Sequence, residues 1–109
     1  MNKIWTVRDI KELERAFNIE CELRPDGMYD VDGSIFISYT YLTSIIDAIP
    51  PIHTLNGHFS CAYNNLVDLK GCPLNIHGNF SCYCNHIHNM NHTPIVKGHS
   101  NYDNNVLIF

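Results

Sequence analysis

Apolar residues along the chain follow two different spacings. Val7, Ile10, Leu13 and Phe17 recur at helical intervals behind Thr6, and Asp9 stands three positions after Thr6, where a capping box places an acid. This predicts a helix from about Val7 to Phe17, closed by Asn18 as a left-handed residue. Ile19, Cys21 and Leu23 then alternate with polar residues, as a half-buried strand does. Pro25, Asp26 and Gly27 are a turn signal, and the alternation resumes through Tyr29, Val31, Ile35 and Ile37. A β-hairpin leading into the rest of the chain is the expectation.

From Val31 onward the pattern repeats. When the segments beginning at Val31, Leu55, Ile76 and Val96 are aligned, Gly33, Gly57, Gly78 and Gly98 share a column. Two positions later come Ile35, Phe59, Phe80 and Ser100, and two further on Ile37, Cys61, Cys82 and Tyr102. A polar column of Thr40, Asn64, Asn85 and Asn105 precedes an apolar one of Leu42, Leu66, Ile87 and Leu107, and prolines recur at Pro50, Pro73 and Pro94. A period of about twenty to twenty-four residues, kept in so many columns, marks a solenoid of stacked coils.

One such coil has no core of its own. Its apolar positions are buried only by the coils above and below, so stability resides in neighbour interfaces. The alternation around Phe59 and Phe80 predicts one short strand per coil, stacked into a parallel sheet. The asparagine column suits a turn whose backbone groups need partners that no apolar side chain supplies. The glycine column suits positive φ or close approach of the next coil. The expected fold is α+β and forms one domain. A helix and hairpin cap spans residues 1–30, and a solenoid of three to four degenerate repeats spans 31–109.

Composition narrows the function classes. Seven basic residues stand against 11 acidic ones for a net charge of −4, too few cations to neutralise a run of phosphates, so direct nucleic-acid binding is not expected. No apolar run reaches the roughly 20 residues that cross a bilayer, and the first ten residues lack the apolar stretch of a secretory signal, so a soluble cytoplasmic protein is expected. In that compartment the five cysteines are expected as thiols.

The run Phe59-x-Cys61-x-x-Asn64-x-Leu66-x-x-Leu69-x-Gly71-x-Pro73 resembles a short leucine-rich repeat. More narrowly, the chain from about Pro25 onward resembles the small leucine-rich-repeat-like proteins of tailed bacteriophages. In these, segments similar to Gly57-x-Phe59-x-Cys61-x-x-Asn64-Asn65-Leu66 alternate with segments similar to Leu69-Lys70-Gly71-Cys72-Pro73. The lead-in from Pro25-Asp26-Gly27 to Val31-Asp32-Gly33 is also typical of that group. The resemblance implies the solenoid fold and a phage origin. It says little about function, because such scaffolds serve many partners.

Cys82, Cys84, His86 and His88, with His92 close behind, are a candidate zinc set. The alignment opposes it, since Cys82 occupies a core column and ligands alternating along one extended stretch converge poorly on a tetrahedral ion. No metal and no cofactor are therefore expected. Cys84 beside His86 lacks a third orienting group and an enclosed pocket, so nucleophilic catalysis is not expected. The carboxylates Asp9, Glu12, Glu14 and Glu20 fit a solvated helix face.

What remains is surface. Positions alternating with the core columns should face out: Phe36 and Ser38, then His58, Ser60 and Ala62, then Asn79, Ser81 and Tyr83. Tyr39, Tyr41, Tyr63, Asn65, Cys84 and His86 lie at the adjoining turn edge. Tyr and His give contact area and a hydrogen bond at small entropic cost. The expected partner-binding set is thus Phe36, Tyr39, Tyr41, His58, Tyr63, Tyr83 and His86. Trp5, beside Lys3 and Arg8, is a second candidate anchor in the head. The ending Val106-Leu107-Ile108-Phe109 is apolar where a solenoid needs a polar cap, so Leu107, Ile108 and Phe109 are expected to fold back, meet a second copy or lie under a partner. The functional expectation is a nonenzymatic module. Following the phage resemblance, it would bind a host bacterial protein, most attractively an antiviral defence enzyme or sensor, and block it. A zinc protein or a virion assembly component is the alternative.

Overall fold

The computed structural model describes residues 3–106. Helix α1 (Val7–Phe17) opens the chain and is followed by β1 (Glu20–Leu23) and β2 (Tyr29–Asp32). Thr6 and Asp9 form the expected capping box, and Asn18 closes the helix at φ 54°. Ile10 and Leu13 are the buried face of α1. β1 and β2 are antiparallel, as the turn at Pro25-Asp26-Gly27 requires.

Short strand pairs then succeed one another: β3 (Ile35–Phe36), β4 (Ile52–Asn56), β5 (Phe59–Ser60), β6 (Asn75–Ile76), β7 (Phe80–Ser81), β8 (Ile95–Val96) and β9 (Ser100–Asn101). They build a solenoid of about three turns with two sheets. Sheet A has the order β1-β2-β4-β6-β8, and sheet B the order β3-β5-β7-β9. Except for the β1–β2 hairpin, all pairings are parallel. The repeat columns are the register: Val31, Leu55, Ile76 and Val96 pair in succession in sheet A, and Ile35, Phe59, Phe80 and Ser100 in sheet B.

One point differs from the sequence expectation. A single sheet was expected, but the column ahead of the glycines forms strands of its own, and the glycines are the corner between the two sheets. Residue 30 lies in β2, which pairs with β1 in the hairpin and with β4 in the first solenoid coil.

The corner explains the glycines. A Cβ on Gly57 would lie 2.1 Å from the Gly33 carbonyl oxygen, and one on Gly98 would lie 2.6 Å from that of Gly78. Gly57, Gly78 and Gly98 each sit on the carbonyl of the glycine one coil earlier, and Gly33 sits against Ile19, leaving no room for a side chain. Gly33 also adopts φ +125°, a conformation that L residues rarely take.

Between the sheets lies a continuous core from Leu13 to Ile87. Phe59 and Phe80 are almost wholly buried and stack with centroids 6.1 Å apart. Each contributes on the order of 2–3 kcal/mol of burial. In the last coil Ser100 replaces phenylalanine and is exposed, and Tyr102 instead closes edge-on against Phe80 at 5.7 Å. Among the described residues, no helix is long and apolar enough to cross a membrane.

Candidate functional site

Sheet B ends in a tight turn that is rebuilt in every coil. Tyr39, Tyr63, Cys84 and Asn104 occupy one column and all adopt left-handed backbone, at φ 60°, 54°, 57° and 58°. The next residue, Asn64, Asn85 or Asn105, is thereby turned toward the preceding coil, while Thr40, first in the column, donates to Asn64 Oδ1 of the coil that follows. Asn64 Oδ1 accepts the Thr40 and Leu42 backbone N–H groups at 3.0 Å each, while its Nδ2 donates to the Ile37 and Cys61 carbonyls. Asn85 repeats this with Leu66, Cys61 and Cys82, and Asn105 with Ile87, Cys82 and Tyr102. The ladder needs the left-handed residue before each asparagine.

Asn104 tolerates that conformation well, but a bulky side chain there costs roughly 1–2 kcal/mol of local strain. Tyr39 and Tyr63 accept the strain, and their rings stay outside. Tyr39 is 69% exposed and Tyr63 40% exposed. Their rings stack with centroids 4.4 Å apart and planes at 10°. Tyr83, from the third coil, meets Tyr63 edge-on at 5.0 Å and 78°. Three coils thus supply one continuous strip of tyrosine. Tyr39 raises the pKa of the Tyr63 hydroxyl, and Cys84 and partial desolvation add to the effect, so that it reaches about 12.

Phe36 lies beside the strip, 58% exposed, in register with Ser60 and then Ser81. Ser38 and Ser60 share a hydrogen bond of 2.8 Å. Tyr41 and His86 are exposed one residue after the asparagine column. Ala62, expected to face out, is buried. Its column continues in the next coil with Tyr83, whose ring closes edge-on against Tyr63.

His58 is exposed, but it also has a structural task. Its Nδ1 accepts the Asn79 backbone N–H at 2.8 Å, just as Ser34 Oγ accepts that of His58 and Asn79 Oδ1 that of His99. This second ladder runs directly after the glycine column. Its signal was present in the sequence, since Ser34, His58 and Asn79 all carry an acceptor at the same repeat position.

The zinc candidates separate. Cys82 is fully buried in the core, Cys84 is half-buried at the turn, and His86 and His88 are exposed on the following segment. Among the described residues no group of three or more His, Cys, Asp or Glu side chains is placed to hold a metal ion. Burial pushes the Cys82 thiol up, and a hydrogen bond to Cys61 together with burial does the same for Cys72. These are core thiols, and all five cysteines are unbridged. Leu107, Ile108 and Phe109 lie outside the described residues.

In the head, Trp5 is half-buried with the Lys3 ammonium 4.3 Å from its ring centroid, and Arg8 is drawn off to Glu12. The outer face of sheet A is polar instead. Glu20, Glu22, Asp30 and Asp32 line it, Arg24 pairs with Asp26 and Asp30, and Asn56 donates to Asp32.

Comparison with protein-family models, curated proteins and solved structures gives no match for this chain. The functional reading therefore rests on its own geometry.

Proposed function

We propose that this protein is a noncatalytic binding module whose tyrosine strip docks onto another protein. The observation that carries the reading is the placement of Tyr39 and Tyr63. Two large aromatic residues occupy a strained backbone position that Asn104 fills without strain in the last coil, and both keep their rings in solvent. Strain at exposed residues is maintained where it has a use, and exposed stacked tyrosines are the kind of anchor on which interfaces concentrate their energy. The coil stack beneath them is rigid, so little ordering entropy is lost on docking.

The resemblance of the repeat to phage leucine-rich-repeat-like proteins extends the proposal to the partner. The module would act in the cytoplasm of an infected bacterium, binding a host protein of antiviral defence and covering its working surface. Affinity purification of the full chain from bacterial cells, in parallel with a Tyr39→Asn/Tyr63→Asn variant, tests this. Asparagine keeps the left-handed turn and removes the rings. A host protein retained by the native chain and lost with the variant supports the proposal. Identical captures by both chains reject it.

A further inference from the structure

We infer that a second surface, the cleft where the irregular side of the coils turns into sheet A, docks an acidic peptide segment carrying an apolar anchor. The cleft has a volume of about 430 Å³. Trp5, Ile46, Pro50 and Pro51 line it with largely apolar surface. It shares Gly71 and His92 with a neighbouring hollow of about 280 Å³ lined by Leu69, Leu74 and Ile95. The two form one groove along successive coils, with Leu74 49% and Ile95 71% exposed beside it.

Its shape is set by the backbone. Gly71 adopts φ +92° and sits so close to the preceding coil that a Cβ there would be 2.8 Å from the backbone of Ile46. His92 holds the equivalent place in the next coil at φ 62°. Two prolines stiffen one wall, so the groove is largely formed before any ligand arrives.

The charge around it specifies the occupant. The chain carries 11 acidic and seven basic side chains, yet Lys3 and Lys70 both line this cleft, and none of its lining residues is acidic. Lys3 is held in place. Its backbone N–H donates to Asp47, its ammonium pairs with Asp9 at 3.7 Å, and it lies over Trp5. Lys70 forms no ion pair among the described residues and is exposed at the rim. Asp68 Oδ1 accepts the Lys70 backbone N–H but makes no ion pair with its ammonium, and an apolar floor with that exposed ammonium beside it matches a Leu or Phe side chain flanked by a carboxylate. The groove spans two successive coils through Gly71 and His92, which suits an extended chain.

The probe is a random dodecapeptide display library panned on the full-length protein, followed by titration of the enriched peptides. Trp5 is the only tryptophan, so its fluorescence reports on this cleft alone. The expected result is enrichment of Asp or Glu within a few positions of Leu or Phe, a change in Trp5 emission on binding, and at least tenfold weaker binding to Lys70→Glu. Lys70→Arg should retain binding and Tyr63→Asn should leave it unaltered, which separates this surface from the tyrosine strip. Absence of acidic enrichment, or equal binding to Lys70→Glu, overturns the inference. Trp5 quenching by decanoate with no peptide enrichment also overturns it, assigning the cleft to a small anionic amphiphile.

Discussion

Asn85 Oδ1 lies 3.0 Å from the backbone nitrogen of Leu66, one coil before its own, and Asn85 Nδ2 donates to the Cys61 carbonyl of that same coil. One amide thus ties two coils together: the Leu66 N–H has Asn85 as its acceptor, and the Cys61 carbonyl is shared between Asn85 and Asn64. Replacing it with leucine strands the buried Leu66 N–H, whose desolvation costs about 1–3 kcal/mol, while the Cys61 and Cys82 carbonyls keep Asn64 and Asn105. Asn85→Leu should therefore lower the unfolding free energy by about 1–3 kcal/mol, measured by urea titration. A loss below about 1 kcal/mol would show that the ladder is not what joins the coils.

The glycine corner makes a contrast between two substitutions. Gly57→Ala places a methyl group 2.1 Å from the Gly33 carbonyl oxygen, whereas Gly27, at φ +84° in the hairpin turn, has open space around it. Gly57→Ala should cost more than about 3 kcal/mol or prevent folding, by the overpacking of rigid backbone. Gly27→Ala should cost only about 1–2 kcal/mol, the price of left-handed backbone for an L residue. Thermal melts of the two variants should separate clearly.

The tyrosine strip gives a substitution that divides stability from binding. Tyr63→Asn removes the stacked ring but suits φ 54°, so folding stability should change by less than about 1 kcal/mol. Affinity for a partner held by the strip should fall by about 2 kcal/mol or more, roughly thirtyfold, as at an aromatic hot spot. Calorimetry against that partner, beside a urea titration, reads both quantities.

Alkaline pH should weaken the fold. Burial, and secondarily the nearby Glu14, raises the Cys21 thiol from 9.0 to about 11, and Cys72 and Cys82 shift in the same direction. A thiol whose folded pKa is raised binds its proton longer in the native state than in the unfolded chain. Its contribution is fully present below about pH 9, declines above that, and for Cys21 is exhausted above about pH 11. Urea midpoints should fall from pH 8.5 to 10.5, and a Cys21→Ser/Cys82→Ala variant should show a smaller decline. An identical decline in both proteins would assign the effect to other groups.

The capping box at the head is separable from the solenoid. Thr6 hydrogen bonds pull Asp9 below the usual carboxylate range, with Lys3 adding to the effect. Thr6→Ala should cost about 1 kcal/mol, the worth of an N-cap. The native chain should lose its helix-cap contribution as pH falls below the ordinary carboxylate pKa of 3.8 and through the depressed folded value. Amide exchange at Asp9, whose N–H is held by Thr6, should quicken in Thr6→Ala while exchange at Leu66 is unchanged.

The coil register was legible in the chain because each coil contacts only its neighbours, so spatial stacking appears as a sequence period. Columns such as Ile35, Phe59 and Phe80 recur for that reason, and the asparagine column carried its own chemistry. The capping box at Thr6 and Asp9 and the closing Asn18 were equally visible, being local in the chain. The tyrosines were marked as surface residues by alternation, but nothing in alternation gives φ. That Tyr63 is a strained residue before Asn64, that Tyr39 holds the same left-handed place before Thr40, and that their rings stack, depends on the path of the backbone. The Lys70 cleft drew on Trp5, Pro50 and His92, far apart in the chain, and no period links them.

By itself, then, the sequence determined the repeat, its register and its helical head, because these follow from neighbour-to-neighbour and residue-to-residue spacing. Only the tertiary structure decided that each coil bends twice, making two sheets around one core. The glycine corner is set by a carbonyl one coil away, and the tyrosine strip by rings from three coils meeting. These are distances across the stack, and no short stretch of sequence contains both ends of them.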